Sequence, residues 1–183
     1  MKRAVYFIPL LLAFAGVTLF ALQLQDIREG KDVNALETGM TGKPFPEFRL
    51  PALSDANRMV TVTDFPEGPF LLNVWATWCP SCQEEHPYLN QLAQSRDVPI
   101  VGLNYKDQRQ AARAWLSRLG NPYRLNVFDQ EGVLGFDLGV YGAPETFVIS
   151  ADRKVVYRHV GVVNEKVWQQ TLKPLMNPSG QAR

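Results

Sequence analysis

The stretch Phe70–Trp75, FLLNVW, passes through Ala76-Thr77 into Trp78-Cys79-Pro80-Ser81-Cys82, and this junction constrains the fold more than any other part of the chain. A short apolar run of this kind marks a buried strand. Pro80 suits the first position of a helix, where its missing N–H costs little. The junction therefore reads as a strand feeding a helix, with two thiols at the turn. They are the only cysteines among 183 residues. That is too few for a disulfide-stapled scaffold, and both fall in one four-residue window.

The same alternation continues. Pro80 to about Arg96 reads as a helix with Tyr88, Leu89, Leu92 and Ala93 on its apolar face. Val98–Asn104 reads as a second buried strand, and Asp107–Leu119 as a second helix stopped by Gly120-Asn121-Pro122. Leu125–Phe128 is a brief extended piece and Gly132–Leu138 a short helical one. Thr146–Ile149, the turn Asp152-Arg153-Lys154 and Val155–Val160 have hairpin spacing. Asn164 can cap a last helix reaching about Met176. Before all of these, Lys43–Pro69 holds five prolines and one β-rich stretch, Met59–Thr63. Strands alternating with helices, then a hairpin and a helix, argue an α/β domain: a central mixed sheet with helices on both faces.

At the N-terminus, Met1-Lys2-Arg3 precedes an uncharged run from Ala4 to Leu22. As a helix this run would be about 28 Å long, close to the hydrocarbon thickness of a bilayer. No small-x-small cleavage site follows it, which favours an uncleaved anchor over a signal peptide. Lys2 and Arg3 stay on the cytoplasmic side by the positive-inside rule, so the rest faces outward, into an oxidising space. The expected organisation is an anchor at 1–22, a polar tether at 23–42 and a folded domain at 43–183. A formal net charge of +1, from 19 basic and 18 acidic residues, gives no basis for nucleic-acid binding. With 46% hydrophobic residues, general disorder is excluded as well.

Two thiols at C-x-x-C spacing can close a small disulfide ring. A thiolate at Cys79 would meet the free N–H groups and positive dipole end of the helix, so its pKa should fall below the usual value of about 8.5. Cys82, one turn inside, is placed to resolve a mixed disulfide. This supports thiol–disulfide exchange with a protein partner, with no metal or cofactor. Three other uses of the pair exist. One is a zinc site with His86 and His159; another is a static disulfide; the third is a copper-delivery domain, which typically spaces its cysteines one residue further apart.

Val74–Cys82 resembles the active-site stretch of the thioredoxin superfamily. Pro87 matches the proline that kinks the active-site helix there, and Ala143-Pro144 lies where that family carries a cis-proline facing the disulfide. The chain is similar, more narrowly, to the CcmG/DsbE-type thiol:disulfide proteins of cytochrome c maturation. That similarity rests on Gly139-Val140-Tyr141-Gly142-Ala143-Pro144-Glu145-Thr146-Phe147 together with Trp78–Cys82. The opening Gly42–Phe48 is also similar, though peroxiredoxin-like relatives share something like it.

The resemblance implies a thioredoxin-like fold behind an N-terminal transmembrane anchor, at the bacterial inner membrane with the domain in the periplasm. It implies Cys79 as nucleophile, Cys82 as resolving thiol, and Pro144 offering backbone to the substrate. It implies reduction of the haem-attachment motif of apocytochrome c, directly or through a haem-ligation thiol component. A membrane electron donor of the DsbD/CcdA kind would recharge the pair.

Where thioredoxin has a buried aspartate this chain has Asn73, which cannot titrate, so another group must take the proton of Cys82. Glu85, three residues after Cys82 on the same helical face, is the candidate, and burial would raise its pKa. Glu84 reads more as a solvent-facing helix charge. Trp78, Pro80, Ala143, Pro144 and Glu145 are the expected substrate groove. Glu145 there would perturb the cysteines or meet a basic partner, or else be a surface loop carboxylate. Trp75 is expected in the core, and Tyr141 can line the groove. A general periplasmic dithiol oxidase, or a module that binds apocytochrome or metal without turnover, are the competing functions.

Overall fold

The computed structural model describes residues 39–95 and 98–176, together with Phe14, Gly16 and Thr18. Contacts divide the chain into a unit ending at Ala35 and another beginning at Leu36. The expected anchor lies, but for those three residues, outside the described part. The Thr18 hydroxyl donates to the Phe14 carbonyl at 2.8 Å, a helical i−4 bond. No helix among the described residues is long and apolar enough to cross a membrane.

In the second unit, five strands form one mixed sheet: β3 (Phe70–Trp75), β4 (Ile100–Tyr105), β5 (Leu125–Asp129), β6 (Glu145–Ile149) and β7 (Val155–Val160), in the order β5-β4-β3-β6-β7. β3, β4 and β5 are parallel, and β6 and β7 run antiparallel to their neighbours. β3 lies at the centre and is buried along its whole length. Its side chains alternate between two cores, as the pleat requires. Phe70, Leu72 and Val74 enter one core, Leu71 and Trp75 the other. Each such side chain contributes roughly 1.5–3 kcal/mol by leaving water.

The Trp75 face is covered by α1 (Pro80–Ser95), α2 (Arg109–Leu119) and the C-terminal helix, through Leu89, Leu92, Trp115, Leu116, Trp168 and Leu172. Consecutive parallel strands stepping in one direction put their crossover helices on one side. Among the described residues the opposite face has only the short α3 (Val133–Asp137), with Leu134, and the chain before β3, with Phe45, Val60 and Phe65. Asn164 caps the last helix as expected, accepting the Val167 N–H at 3.0 Å. The helix is not uniform: a π turn, Trp168–Leu172, separates the α segments Glu165–Val167 and Lys173–Met176.

The β-rich stretch Met59–Thr63 does not form a strand of that length. Only Met59–Val60 (β2) pairs, with Leu50–Pro51 (β1), and Val62–Asp64 is a 3-10 turn. The Asp64 carboxylate takes the Thr61 N–H at 2.9 Å, closing a capping box that outcompetes further strand pairing.

The segment before β3 touches the sheet at both edges. Gly42 and Lys43 exchange backbone bonds with Val155 at the start of β7, and Phe45 donates to the Arg153 carbonyl at 2.7 Å. Further along, Leu53 donates to Asn126 at 2.9 Å and Ala52 bridges Val127 of β5. The glycine inside β4 has a packing reason. A Cβ at Gly102 would lie 2.0 Å from Asn126 Oδ1 and 2.9 Å from Trp75 Nε1, where those two side chains bond across it.

Candidate active site

Cys79 sits at the N-cap of α1, with Pro80, Ser81 and Cys82 as the first three helical residues. The Cys82 N–H points at Cys79 Sγ, 3.0 Å away, so the sulfur occupies the place where a serine or aspartate oxygen usually caps a helix. The two cysteines form a disulfide, S–S 2.10 Å, and both are buried while Pro80 and Ser81 are exposed. The turn before them is pinned by Asp107, which accepts the Thr77 N–H at 2.7 Å and the Thr77 hydroxyl at 2.6 Å. Trp78 is 53% exposed, and its indole N–H donates to the Lys106 carbonyl at 3.0 Å. Trp75 is fully buried, stacked between Trp115 and Tyr123.

The Ala143–Pro144 peptide bond is cis, as expected. Ser81, the loop Tyr141–Glu145 and Val160–Val162 together line a groove of about 270 Å³, so the fold brings the cysteine turn, Ala143, Pro144 and Glu145 to one place. Trp78 lines a separate hollow with Lys106, Gln108 and Glu131.

Glu145 is 1% exposed and is no surface carboxylate. The buried Arg158 side chain, on the neighbouring strand, meets its Oε2 through Nε at 2.8 Å and Nη2 at 2.7 Å. Oε1 accepts the N–H groups of Tyr141 and Gly142, both at 3.2 Å. The Arg158 guanidinium also lies 4.8 Å from the centre of the exposed Tyr141 ring. Glu145 is thus a clamp on the loop that carries the cis-proline, and its charge is matched from within.

Glu85 is also 1% exposed, whereas Glu84 is in solvent. Its Oε1 accepts from Asn73 Nδ2 at 2.8 Å and its Oε2 from the Val163 N–H at 2.9 Å. Among the described residues no cation pairs with it, and burial pushes its pKa up from 4.5 to about 7, against the pull of those two donors. Asn73 is held on its other sides by the Thr146 hydroxyl at 3.0 Å and by the Tyr123 O–H, which donates to Oδ1 at 2.8 Å. Tyr123 is set by a turn in which its N–H bonds Asn121 Oδ1 at 3.1 Å. Burial, and then the Glu85 charge, push the Tyr123 phenol well above its ordinary range.

The alternative metal site does not assemble. His86 Nε2 lies 2.9 Å from the Gly120 carbonyl, His159 Nε2 3.4 Å from the Val162 carbonyl, and both thiols are in the disulfide. Burial lowers the His86 pKa. Among the described residues, no group of three or more His, Cys, Asp or Glu is placed to hold a metal ion.

Tyr123, Thr146, Val163 and Arg158 were not singled out by motif or periodicity, yet they fix the two carboxylates. Thr146 was findable, since it faces Asn73 in the β3–β6 register. The others act across turns or through a backbone N–H.

The arrangement is that of a dithiol built for exchange, and the comparisons agree. A family model described as Redoxin matches residues 40–173. The thiol:disulfide interchange protein DsbE of Vibrio cholerae is 53% identical over 177 residues, covering 96% of this chain and 95% of its own. The chain belongs to the DsbE family of thiol:disulfide interchange proteins. The Escherichia coli DsbE is 49% identical over 176 residues, with the same coverage. Among solved structures, a Chlorobium tepidum protein assigned as DsbE superposes with a TM-score of 0.61 at 27% identity, over 72% of this chain and 95% of that one. A thio-disulfide isomerase from Thermus thermophilus shares the fold, with a TM-score of 0.61 at 23% identity over 74% and 96%. Membership of the DsbE family makes the chain a thiol–disulfide oxidoreductase with a thioredoxin-like domain.

Proposed function

We propose that this DsbE-family chain is a reductant of c-type cytochrome biogenesis, tethered by residues 1–22 to the bacterial inner membrane with its domain in the periplasm. The observation that carries the exchange chemistry is Glu85, one helical turn beyond Cys82, a buried carboxyl that no cation meets among the described residues and whose pKa burial pushes up to about 7. The reductive direction is supported by the DsbE relatives. Cys79, as thiolate, attacks a partner disulfide. One partner sulfur leaves as thiolate and a Cys79–partner disulfide forms. Cys82 gives its proton to the Glu85 carboxylate and attacks Cys79 Sγ. The Cys79–partner bond breaks, the second partner thiolate leaves, and the Cys79–Cys82 disulfide re-forms. Two electrons pass to the partner. Pro144 offers backbone for pairing with the substrate, with Ala143 and Ser81 beside it in the groove.

The substrate in this reading is the oxidised haem-attachment motif of apocytochrome c, or a haem-ligation thiol protein that relays to it. A membrane donor of the DsbD/CcdA kind returns the electrons. An anchor raises the effective concentration of domain and donor for one another. Support comes from the DsbE relatives, from Gly139–Phe147 and from Ser81, where an oxidase would favour a histidine.

The test is the redox equilibrium of Cys79–Cys82 in the full-length chain against graded thiol buffers. The expected potential is near that of thioredoxin, about −270 mV. A value near that of the strong periplasmic oxidants, about −120 mV, would overturn the reductant and favour the dithiol oxidase. A Cys79→Ala chain that still supported cytochrome maturation would favour the binding module.

A further inference from the structure

Asn73 can offer Glu85 either its amino group or its carbonyl, and the two act with opposite sign. An N–H stabilises the carboxylate, whereas a carbonyl stabilises the protonated acid. Three bonds choose between them. Nδ2 gives one hydrogen to Glu85 Oε1 and the other to Thr146 Oγ1, while Oδ1 accepts from the Tyr123 hydroxyl. Turning the amide over would point Nδ2 at the Tyr123 hydroxyl and leave that phenol proton without its acceptor in a fully buried place. An unmet buried donor is expensive, so the phenol decides which end of the amide Glu85 sees.

We propose that Tyr123 is a positioning residue of the exchange reaction: by donating to Asn73 Oδ1 it keeps the amide N–H on Glu85, and so sets the pH above which Glu85 can take the proton of Cys82. This rests on Glu85 being the proton acceptor proposed above. The groups that meet Glu85 are few. From β3 there is the Asn73 amide and after β7 the Val163 N–H. From the turn before β5 comes Tyr123, the titratable group whose pKa responds to the Glu85 charge. His86, next on α1, is committed to the Gly120 carbonyl. The Tyr123 ring also packs on Trp75, at 5.5 Å between centres, so the ring and the hydroxyl have separable jobs.

The experiment is a single-turnover measurement, on the full-length chain, of release from a mixed disulfide between Cys79 and a model cysteine peptide, across pH 5–9. Three chains are compared: wild type, Tyr123→Phe and Glu85→Gln. The wild-type rate should rise through a limb near pH 7. Tyr123→Phe keeps the ring, frees the amide to turn, and should move the limb up by roughly one pH unit. On an Asn73→Ala background, Tyr123→Phe should add no further shift. A Tyr123→Phe limb that coincides with wild type, while Glu85→Gln removes the limb, overturns the role of Tyr123 and leaves Glu85 standing. A limb that persists in Glu85→Gln overturns the Glu85 reading itself. Should Tyr123→Phe fail to fold, 3-fluorotyrosine placed at position 123 supplies a stronger donor. It should move the limb down by a few tenths of a unit, and no movement overturns the proposal.

Discussion

Glu85 and Glu145 are equally buried, on adjoining parts of the same fold, and they have been given opposite surroundings. Glu145 meets a guanidinium through two nitrogens and two backbone N–H groups besides. Glu85 has one amide and one backbone N–H and, among the described residues, no cation, and its pKa rises to about 7. Burial alone therefore does not say what a carboxylate is for. A matched charge makes a strut, and an unmatched one makes a group that can change its protonation near neutral pH.

The variants that test this contrast fall in order of size. Cys79→Ala should abolish reduction of a model peptide disulfide altogether. Cys82→Ala should instead trap the partner as a mixed disulfide on a non-reducing gel. Next comes the strut. Arg158→Met leaves Glu145 buried without its guanidinium, and should cost about 3–5 kcal/mol in urea unfolding. Adding Glu145→Gln to that variant should recover a good part of the loss; no recovery would mean that Arg158 acts by packing alone.

The unmatched carboxyl should show itself in the pH dependence of stability. The folded value of Glu85, about 7, lies above the ordinary 4.5, so between those two values the folded chain holds a proton that the unfolded chain has released. Its contribution is complete below about pH 4.5 and is lost as pH rises through 7, a fall of about 2–3 kcal/mol between pH 5 and pH 8. Glu85→Gln should erase that slope, and a slope equal to wild type would break the comparison. The smallest effect belongs to the rim. Tyr141→Leu removes the ring over Arg158 and should cost about 0.5–1 kcal/mol.

Much of this was legible beforehand. The apolar run Phe70–Trp75 is a central strand because both of its faces are buried, and a continuous run is what such burial demands. Asn164 caps its helix, and Gly120 ends another with φ +90°, because those residue types solve local backbone problems. Glu85 was findable from its spacing to Cys82. The Glu145–Arg158 pair was not, because it depends on the register of β6 against β7 across a bulge. Tyr123 was not either: it stands in a turn between Pro122 and Arg124, where no periodicity reports which way a side chain faces. Met59–Thr63 misled because β propensity is weak against a carboxylate three residues away that satisfies the same backbone.

The segment that touches both edges of the sheet has a consequence for assembly. Its partners at one edge are Arg153 and Val155, near the far end of the chain, and at the other Asn126 and Val127. A chain that emerges N-terminus first must therefore carry Gly42–Phe45 without the Arg153 and Val155 contacts until the last hairpin has been made. Non-local closure of this sort is slow, because the intervening loop must be ordered before the contact repays it. Until then the β7 edge lacks its cover and is able to pair with another chain. Closing the domain and protecting it from aggregation are thus one event, and it comes late.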